Sequence, residues 1–113
     1  MFKNVSLIAG KWLGSDQKYQ NEPVSGLADS FAIGTVEMVN LACEAAEEAF
    51  WSYGYSTADE RASFLEEVAN QIDARGTEIT KTGMKETGLP QARLEGERGR
   101  TIAQLRMFAQ HIK

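Results

Sequence analysis

The chain has 113 residues, the size of one ordinary domain, and an apolar content of 42%, which is enough to build a core. Its 16 acidic side chains outnumber its 12 Lys and Arg side chains, and the mixing of both signs argues against a surface for nucleic acids or anionic membranes. The single cysteine cannot form an internal disulfide, the start lacks a secretory signal, and no segment approaches the roughly 18 apolar residues of a membrane span. We therefore expect a soluble, cytoplasmic protein.

The first 34 residues are predicted to form extended structure and turns. Residues 7–14 are a short apolar stretch closed by glycine, residues 18–24 alternate weakly, and together they favour a β-hairpin. A loop is predicted at residues 22–26, where Pro23 and Gly26 lie close together. Extended or irregular chain is predicted to continue to Gly34.

At Thr35 the apolar period changes from two to about 3.6 residues, which predicts helices from there onward. Thr35 is the expected cap of the first helix, which should end near Tyr53 and Gly54. Its glutamates lie off the apolar stripe. The predicted stripe contains Met38, Leu41, Ala42, Ala45, Ala49 and Phe50.

A second helix is predicted to begin at a capping box formed by Thr57 and Glu60. Gly76 stands where a left-handed residue would end this helix. The predicted buried stripe contains Ala62, Leu65, Val68, Ala69 and Ile72.

Two further helices complete the prediction. The third covers residues 77–86 with Ile79 and Met84 inward and ends at Gly88, and Pro90 suits the first turn of the fourth. Two glycines inside the fourth helix, at positions 96 and 99, each cost about 1 kcal/mol against alanine and suggest a close helix crossing. Its predicted apolar face contains Leu94, Ile102, Leu105, Phe108, Ala109 and Ile112.

The predicted fold class is mostly α, with a short N-terminal β-hairpin, about four helices and no complete Rossmann sheet. Residues 1–113 are predicted to be a single segment. Within it, residues 1–34 form the β-hairpin and loop, and residues 35–113 form the helical part.

Four short motifs follow one another along the chain: IAGKW at residues 8–12, AAEEAF at 45–50, DERA at 59–62 and ETGLP at 86–90. In this order and at these separations they resemble the start of the NAD(P)-dependent aldehyde dehydrogenases. Residues 86–109 resemble in particular the branch that oxidises α-ketoglutarate semialdehyde, and a branch that oxidises long-chain aldehydes with NADP shares much of this pattern. One position departs from the family, which commonly has asparagine–proline where this chain has Glu22-Pro23.

The resemblance implies a partial piece of the aldehyde dehydrogenase α/β fold, in which residues 35–113 are the helical part of the cofactor-binding domain. For the whole enzyme it implies that a cysteine thiolate attacks the aldehyde, hydride passes to the nicotinamide, and a glutamate-activated water releases the acid. An asparagine side chain and a backbone amide hold the oxyanion. In the family pattern these residues and the main contacts to NAD or NADP lie further downstream. We therefore expect no catalytic, cofactor-binding or metal-binding residues here, and neither activity nor cofactor binding by the chain alone.

Two residues have side chains that could act as a nucleophile, a metal ligand or an acid–base group. Cys43 lies in an acidic helix beside Glu44 and near Glu47, which disfavours a thiolate, so we interpret it as a small helix-packing residue. His111 has no second ligand or acid–base partner within helical reach and is expected at the surface.

The remaining candidates also have structural interpretations. Glutamates interleave with the arginines of the last helix, which indicates a solvated or ion-paired face. One of these glutamates, Glu97, has only a weak analogy to a cation site in some family members. The glycine pairs at 10/14 and 96/99 lack the strand–turn–helix order of a dinucleotide loop. The aromatic residues are expected to pack in the core. The arginines are Arg93, Arg98, Arg100 and Arg106, and the aromatic residues are Trp12, Trp51, Tyr53 and Tyr55.

Three hypotheses follow. In the first, the chain is a fragment of an aldehyde dehydrogenase whose uncovered apolar face meets the remainder of the enzyme or drives self-association, with Leu105, Phe108 and Ile112 at its centre. In the second, it is a self-sufficient helical interaction or oligomerisation module with a closed core. A small helical enzyme is the least supported, because paired carboxylates, a metal cluster and an activated nucleophile are all missing from the pattern.

Overall fold

A computed structural model of the chain describes residues 3–113. Four short strands precede four helices along the chain. The strands are β1 (Ser6–Ile8), β2 (Lys11–Leu13), β3 (Lys18–Gln20) and β4 (Ser30–Ala32), and the helices are α1 (Val36–Tyr53), α2 (Ala58–Ala74), α3 (Gly76–Thr87) and α4 (Gln91–Ile112). The predicted fold class is confirmed: within residues 3–113 the strands form two small antiparallel pairs and no larger sheet.

The chain divides into two compact units. The first contains the chain up to Glu22 together with Leu27–Tyr55, and the second contains Pro23–Gly26 together with Ser56–Lys113. The first unit therefore holds the strands and α1, and the second holds α2, α3 and α4. In the part of the chain that the structure describes, no helix is long and apolar enough to cross a membrane.

The strands pair differently from the predicted hairpin. β1 pairs with β2, so the turn at Ala9 and Gly10 closes a hairpin inside the first apolar stretch. Both turn residues have positive φ, 50° and 76°, as the tightest hairpin turns require. β3 pairs instead with β4, where the rings of Tyr19 and Phe31 stack with their centroids 5.5 Å apart. The prediction that residues 7–14 pair with residues 18–24 was wrong, because the first stretch folds back on itself and the second pairs with β4.

α1 begins and ends where the sequence predicts. The Thr35 hydroxyl accepts a hydrogen bond from the Met38 amide at 3.2 Å, and the helix ends at Tyr53. Of the predicted stripe, however, only Met38 is buried and Ala45 is half-buried. The other four residues of the stripe are exposed, among them Leu41 and Phe50. Amphipathic periodicity therefore located this helix correctly without showing what covers it.

The predicted capping box starts α2. The Glu60 amide donates to the Thr57 hydroxyl at 3.2 Å, and the Thr57 amide donates to the Glu60 carboxylate at 2.7 Å. These hydrogen bonds, first from the Thr57 backbone and then from its side chain, hold the pKa of Glu60 below its ordinary value. The predicted stripe is confirmed, since Ala62 and Ala69 are buried and the other three residues are half-buried.

The sequence suggested that Gly76 ends α2 in a left-handed conformation, and this prediction was wrong. Arg75, with φ −98° and ψ 12°, forms the junction, and Gly76 is the buried first residue of α3. The reason is packing: a Cβ at position 76 would lie 2.7 Å from the Arg98 Cζ atom. A glycine at this position leaves room for the guanidinium group of Arg98.

α3 ends at Gly88 in the left-handed conformation, φ 70°, as predicted. The Gly88 amide donates to the Met84 carbonyl oxygen at 2.9 Å. Met84 is exposed rather than inward, whereas Ile79 is half-buried and the side chain that packs inward is Thr80. A hydroxyl group can be buried here because Thr80 accepts a hydrogen bond from Arg98.

α4 follows directly after Pro90, which precedes its first turn rather than lying in it. Ile102 and Ala109 are buried on the predicted face, while Phe108 is 53% exposed. A Cβ at either helix-interior glycine, 96 or 99, would meet nothing within 4 Å, so the predicted close crossing there is wrong. The close approach to α4 lies at Gly83 of α3, where a Cβ would be 3.1 Å from a Leu94 methyl group.

The capping box should make stability depend on pH. Because the pKa of Glu60 in the folded chain lies below its ordinary value of 4.5, its stabilising contribution is complete above that value and is lost as the pH falls through the lowered pKa. We expect Glu60→Gln to lower the free energy of unfolding at neutral pH, with a difference that disappears in acid. Urea unfolding at a series of pH values measures this. Glu67→Gln, which removes a carboxylate of the same helix outside the cap, is the control, and an equal pH dependence of the two variants would contradict the assignment.

Two glycine substitutions should change stability in opposite directions. Gly76→Ala must displace the Arg98 guanidinium group and should cost about 1.5–3 kcal/mol, the range for hydrogen bonds to charged groups. Gly99→Ala enters open space within a helix and should stabilise the chain by roughly 0.5–1 kcal/mol. Denaturant midpoints of the two variants test this, and destabilisation by both would show that α4 is packed more closely at position 99 than its geometry indicates.

Candidate functional site

The two residues considered for chemistry lie in different units. Cys43 on α1 is exposed, so its interpretation as a helix-packing residue was wrong. His111 lies in the last turn of α4 and is exposed, as expected. Within residues 3–113 there is no group of three or more His, Cys, Asp or Glu side chains that could hold a metal ion.

The arginines of α4 do not all belong to one ion-paired face. Arg93 forms an ion pair with Glu97 at 3.1 Å, which is the paired face that the sequence predicted. Arg98 differs, because its half-buried guanidinium group donates to the Gly76 carbonyl oxygen at 2.8 Å and to the Thr80 hydroxyl at 2.6 Å. Both bonds join α4 to α3, so Arg98 is a structural residue. The sequence pattern alone did not distinguish it from its neighbours.

The glycine pairs at 10/14 and 96/99 do not form a site for the phosphates of a dinucleotide. Such a site needs a glycine-rich turn between a strand and the N-terminus of a helix, where backbone amides face the anion. Gly10 instead lies in a hairpin turn, and the glycines at positions 96 and 99 lie inside α4. At the N-terminus of α2 the amides of Thr57 and Glu60 are already bonded to each other's side chains, and the Glu60 carboxylate would repel a phosphate.

The aromatic residues do not form a core. The predicted set is exposed throughout, with Trp51 65% and Tyr55 73% exposed. Phe50 contacts Trp51 edge-on at a centroid distance of 5.6 Å, and the Lys3 ammonium group lies 4.7 Å from the centroid of a Trp12 ring. The prediction of core packing was wrong because the apolar surfaces that these rings would need are not present around them.

α1 carries a broad uncovered apolar surface, which we name the α1 open face. Its residues recur at helical spacing and are all exposed, including Val39 at 60% and Phe50 at 56%. The side chains between these two are small. The α1 open face consists of Val39, Ala42, Cys43, Ala46, Ala49 and Phe50.

A second feature of the first unit is a groove between the β1–β2 hairpin and α1, which we name the hairpin groove. It has a volume of about 380 Å³. Apolar side chains from both walls form its floor, and charged side chains of opposite sign line it from the two walls. Its lining residues are Ile8, Ala9, Lys11 and Leu13 on the hairpin and Leu41, Glu44, Ala45 and Glu48 on α1.

The exposed area is large for a chain of this mass. The chain exposes 8543 Å², whereas a compact folded monomer of 12.5 kDa exposes about 6200 Å². Two separate compact units of half this mass would together expose only about 7400 Å², so the excess does not depend on how the two units are arranged. Among the described residues no large side chain is fully buried. The chain therefore exposes more surface than compact proteins of its mass do.

Comparison with known proteins shows the family to which the chain belongs. The chain belongs to the aldehyde dehydrogenase family, whose sequence profile matches residues 18–113. It also has the fold of a NAD-dependent benzaldehyde dehydrogenase from Corynebacterium glutamicum, with a TM-score of 0.87 and 21% identity over 98% of this chain and 25% of that chain. The resemblance that the motifs indicated is confirmed at the level of the family and of the partial fold.

Among curated proteins, semialdehyde dehydrogenases are similar to this chain. It is 42% identical over 83 residues to the α-ketoglutaric semialdehyde dehydrogenase of Acinetobacter baylyi, covering 74% of this chain and 16% of that protein. It is 43% identical over 94 residues to α-ketoglutaric semialdehyde dehydrogenase 2 of Azospirillum brasilense, covering 83% of this chain and 18% of that protein. The chain thus spans about one sixth of the length of these relatives.

Replacing an alanine by glutamate at two positions distinguishes the α1 open face from the packed face of α2. Ala46→Glu places a charge on the α1 open face and should change the free energy of unfolding by no more than about 0.5 kcal/mol. Ala69→Glu places the same side chain where α2 is fully buried and should cost several kcal/mol. Urea unfolding of the 113-residue chain measures both. A large loss for Ala46→Glu would show that the α1 open face is packed within the chain.

Proposed function

We propose that this chain forms part of the cofactor-binding domain of an NAD(P)-dependent dehydrogenase that oxidises α-ketoglutarate semialdehyde. In the complete reaction the aldehyde and water give a carboxylate, and a hydride passes to the oxidised nicotinamide. The chain's own contribution is structural: it supplies helices that support the cofactor-binding domain. Alone, it neither binds the dinucleotide nor oxidises the aldehyde.

The observation that carries this proposal is the identity of 42–43% with two α-ketoglutaric semialdehyde dehydrogenases over 74–83% of the chain. The more distant similarity to a 3-succinoylsemialdehyde-pyridine dehydrogenase of a Pseudomonas species, 29% identical over 91 residues, also concerns a semialdehyde. A substrate with a second polar group beyond the aldehyde is common to these names. This supports a semialdehyde over a long-chain aldehyde as the substrate.

The distribution of exposed apolar side chains supports a role inside a larger protein. On α4, Phe108 is 53% exposed, and Leu105 and Ile112 are only half-buried. We propose that this surface and the α1 open face are covered by the remainder of the dehydrogenase. Where that remainder is missing, the α4 surface drives self-association, because apolar patches of this kind bind one another in water.

A self-sufficient interaction module is less well supported. Such a module needs a closed core, and the buried apolar residues among those described are few and mostly small: Met38, Ala62, Ala69, Ile102 and Ala109. The proposed inactivity of the chain alone follows from the family resemblance, in which the nucleophile and the main cofactor contacts lie further downstream.

A chimeric enzyme tests the proposed function. The 94 matched residues of the Azospirillum brasilense protein are replaced by the corresponding residues of this chain. We expect the chimera to reduce NAD or NADP with α-ketoglutarate semialdehyde at a rate within about tenfold of the parent enzyme, because the reacting groups are untouched. The 113-residue chain alone should form no reduced nicotinamide under the same conditions.

Variants of the chimera show whether the open surfaces are covered. Ala46→Glu, expected to be harmless in the 113-residue chain, should sharply reduce the yield of active chimera, because it would bury a charge against the rest of the enzyme. Glu47→Gln on the same helix is the matched control and should leave the yield unchanged. A chimera that assembles but does not accept the semialdehyde, or one indifferent to Ala46→Glu, would overturn the proposal.

A further inference from the structure

The loop between β3 and β4 is closed at its base by two hydrogen bonds. The Asn21 amide donates to the Asp29 carbonyl oxygen at 3.1 Å, and the Asp29 amide donates to the Asn21 Oδ1 atom at 2.6 Å. The two bonds lie directly beside the last pair of the strand ladder, Gln20 with Ser30. They hold both ends of the segment between them. Its central part, Pro23–Gly26, belongs to the second unit, and we name it the strap.

The strap contacts the C-terminus of α3. Its Ser25 amide donates to the Lys85 carbonyl oxygen at 3.2 Å. Carbonyl groups in the last turn of a helix have no partner in the helix's own ladder, so they take donors from elsewhere. The first two amides after α3, those of Gly88 and Leu89, bond to other oxygen atoms. The strap therefore supplies a hydrogen bond to the helix end that the chain directly after α3 does not make.

A side chain of the strap also packs on the residue that ends α3. A left-handed residue after a helix is usually accompanied by an apolar contact with the last turn, and Gly88 has no side chain to make one. A Cβ at position 88 would lie 3.1 Å from a Val24 methyl group, so Val24 occupies the space beside this glycine. Val24 is nevertheless 68% exposed, so the contact is small.

We propose that the strap is a removable cap of α3, which opens and closes in a local equilibrium while the loop base and helices α2 to α4 stay folded. In the closed state Ser25 and Val24 hold the last turn of α3 and the left-handed Gly88. In the open state that turn frays. Opening is easy because the strap is held by one neutral hydrogen bond at the long end of the usual range and by one mostly exposed side chain.

Native-state hydrogen exchange of the 113-residue chain, followed by NMR, tests this equilibrium amide by amide. We expect the Ser25 amide to exchange on the order of tenfold more slowly than in an unstructured peptide, the protection that one neutral hydrogen bond gives. The amide of the buried Ala69 in α2 should exchange far more slowly than that of Ser25. Equal protection of the two would show that the strap opens only when the helices unfold. Exchange of Ser25 at the peptide rate would show that the strap is not closed. Either result overturns the proposal.

Two substitutions in the loop separate the strap from its surroundings. Val24→Ala weakens the contact with Gly88 and should speed the exchange of the Ser25 and Gly88 amides severalfold, while the Asp29 amide at the loop base is unchanged. Leu27→Ala is the matched control, because Leu27 lies in the same loop outside the strap and is 86% exposed. It should alter none of these rates. A Gly88 amide that does not respond to Val24→Ala would show that the strap does not cap α3.

A double-mutant cycle measures the contact between Val24 and Gly88 without relying on exchange. Gly88→Ala should destabilise the chain both by strain at a positive φ and by crowding of the new Cβ against Val24. In the Val24→Ala background only the strain remains, so the effect on the unfolding equilibrium constant should be smaller by roughly threefold or more. Urea unfolding of the four chains measures this. Additive effects of the two substitutions would contradict the contact on which the strap depends.

Discussion

The guanidinium group of Arg98 joins α3 to α4 at a point where no Cβ stands in its way. Its two hydrogen bonds give a partner to two oxygen atoms of buried residues, the Gly76 carbonyl oxygen and the Thr80 hydroxyl. This arrangement matters in the second unit because few of its apolar side chains are buried: besides Ile102 these are Ala62, Ala69 and Ala109, which let the helices come close but supply little apolar area themselves. A charged group held in fixed geometry thus joins α3 to α4 beside the small buried side chains of this unit.

The features of this fold that the sequence predicted correctly are those that depend on interactions between residues close together in the chain. The caps at Thr35 and Thr57 and the left-handed Gly88 depend on hydrogen bonds between near neighbours, so their residue types specify them. Strand pairing was mispredicted because strands of three residues carry almost no periodic signal, and the stacking of Tyr19 on Phe31 is a long-range contact. Gly76 was misread for a related reason: the residue that requires it, Arg98, is 22 positions away.

Exposure was harder to predict than secondary structure. The period of α1 correctly identified an amphipathic helix, but a periodic stripe shows only that a face is apolar, not that this chain covers it. Leu41 and Phe50 were assigned to the apolar stripe on that basis and are exposed. The hairpin groove could not be anticipated at all, because its walls come from segments about 30 residues apart whose contact is tertiary. The family, by contrast, could be recognised from the motifs, because it is encoded in their order along the chain and not in their packing.

The α1 open face has a consequence for biosynthesis. Under the proposed function, the surfaces that cover this helix are translated after it, at roughly 5–20 residues per second. In a protein as long as the curated relatives, the face would then stay uncovered for tens of seconds on the ribosome, long enough for a nascent chain to aggregate with its neighbours. The four glutamates of α1, which contribute no ion pair on their own helix, keep the nascent segment charged during that interval. The same acidity that makes α1 a poor isolated helix therefore protects it until its partner surface has been made.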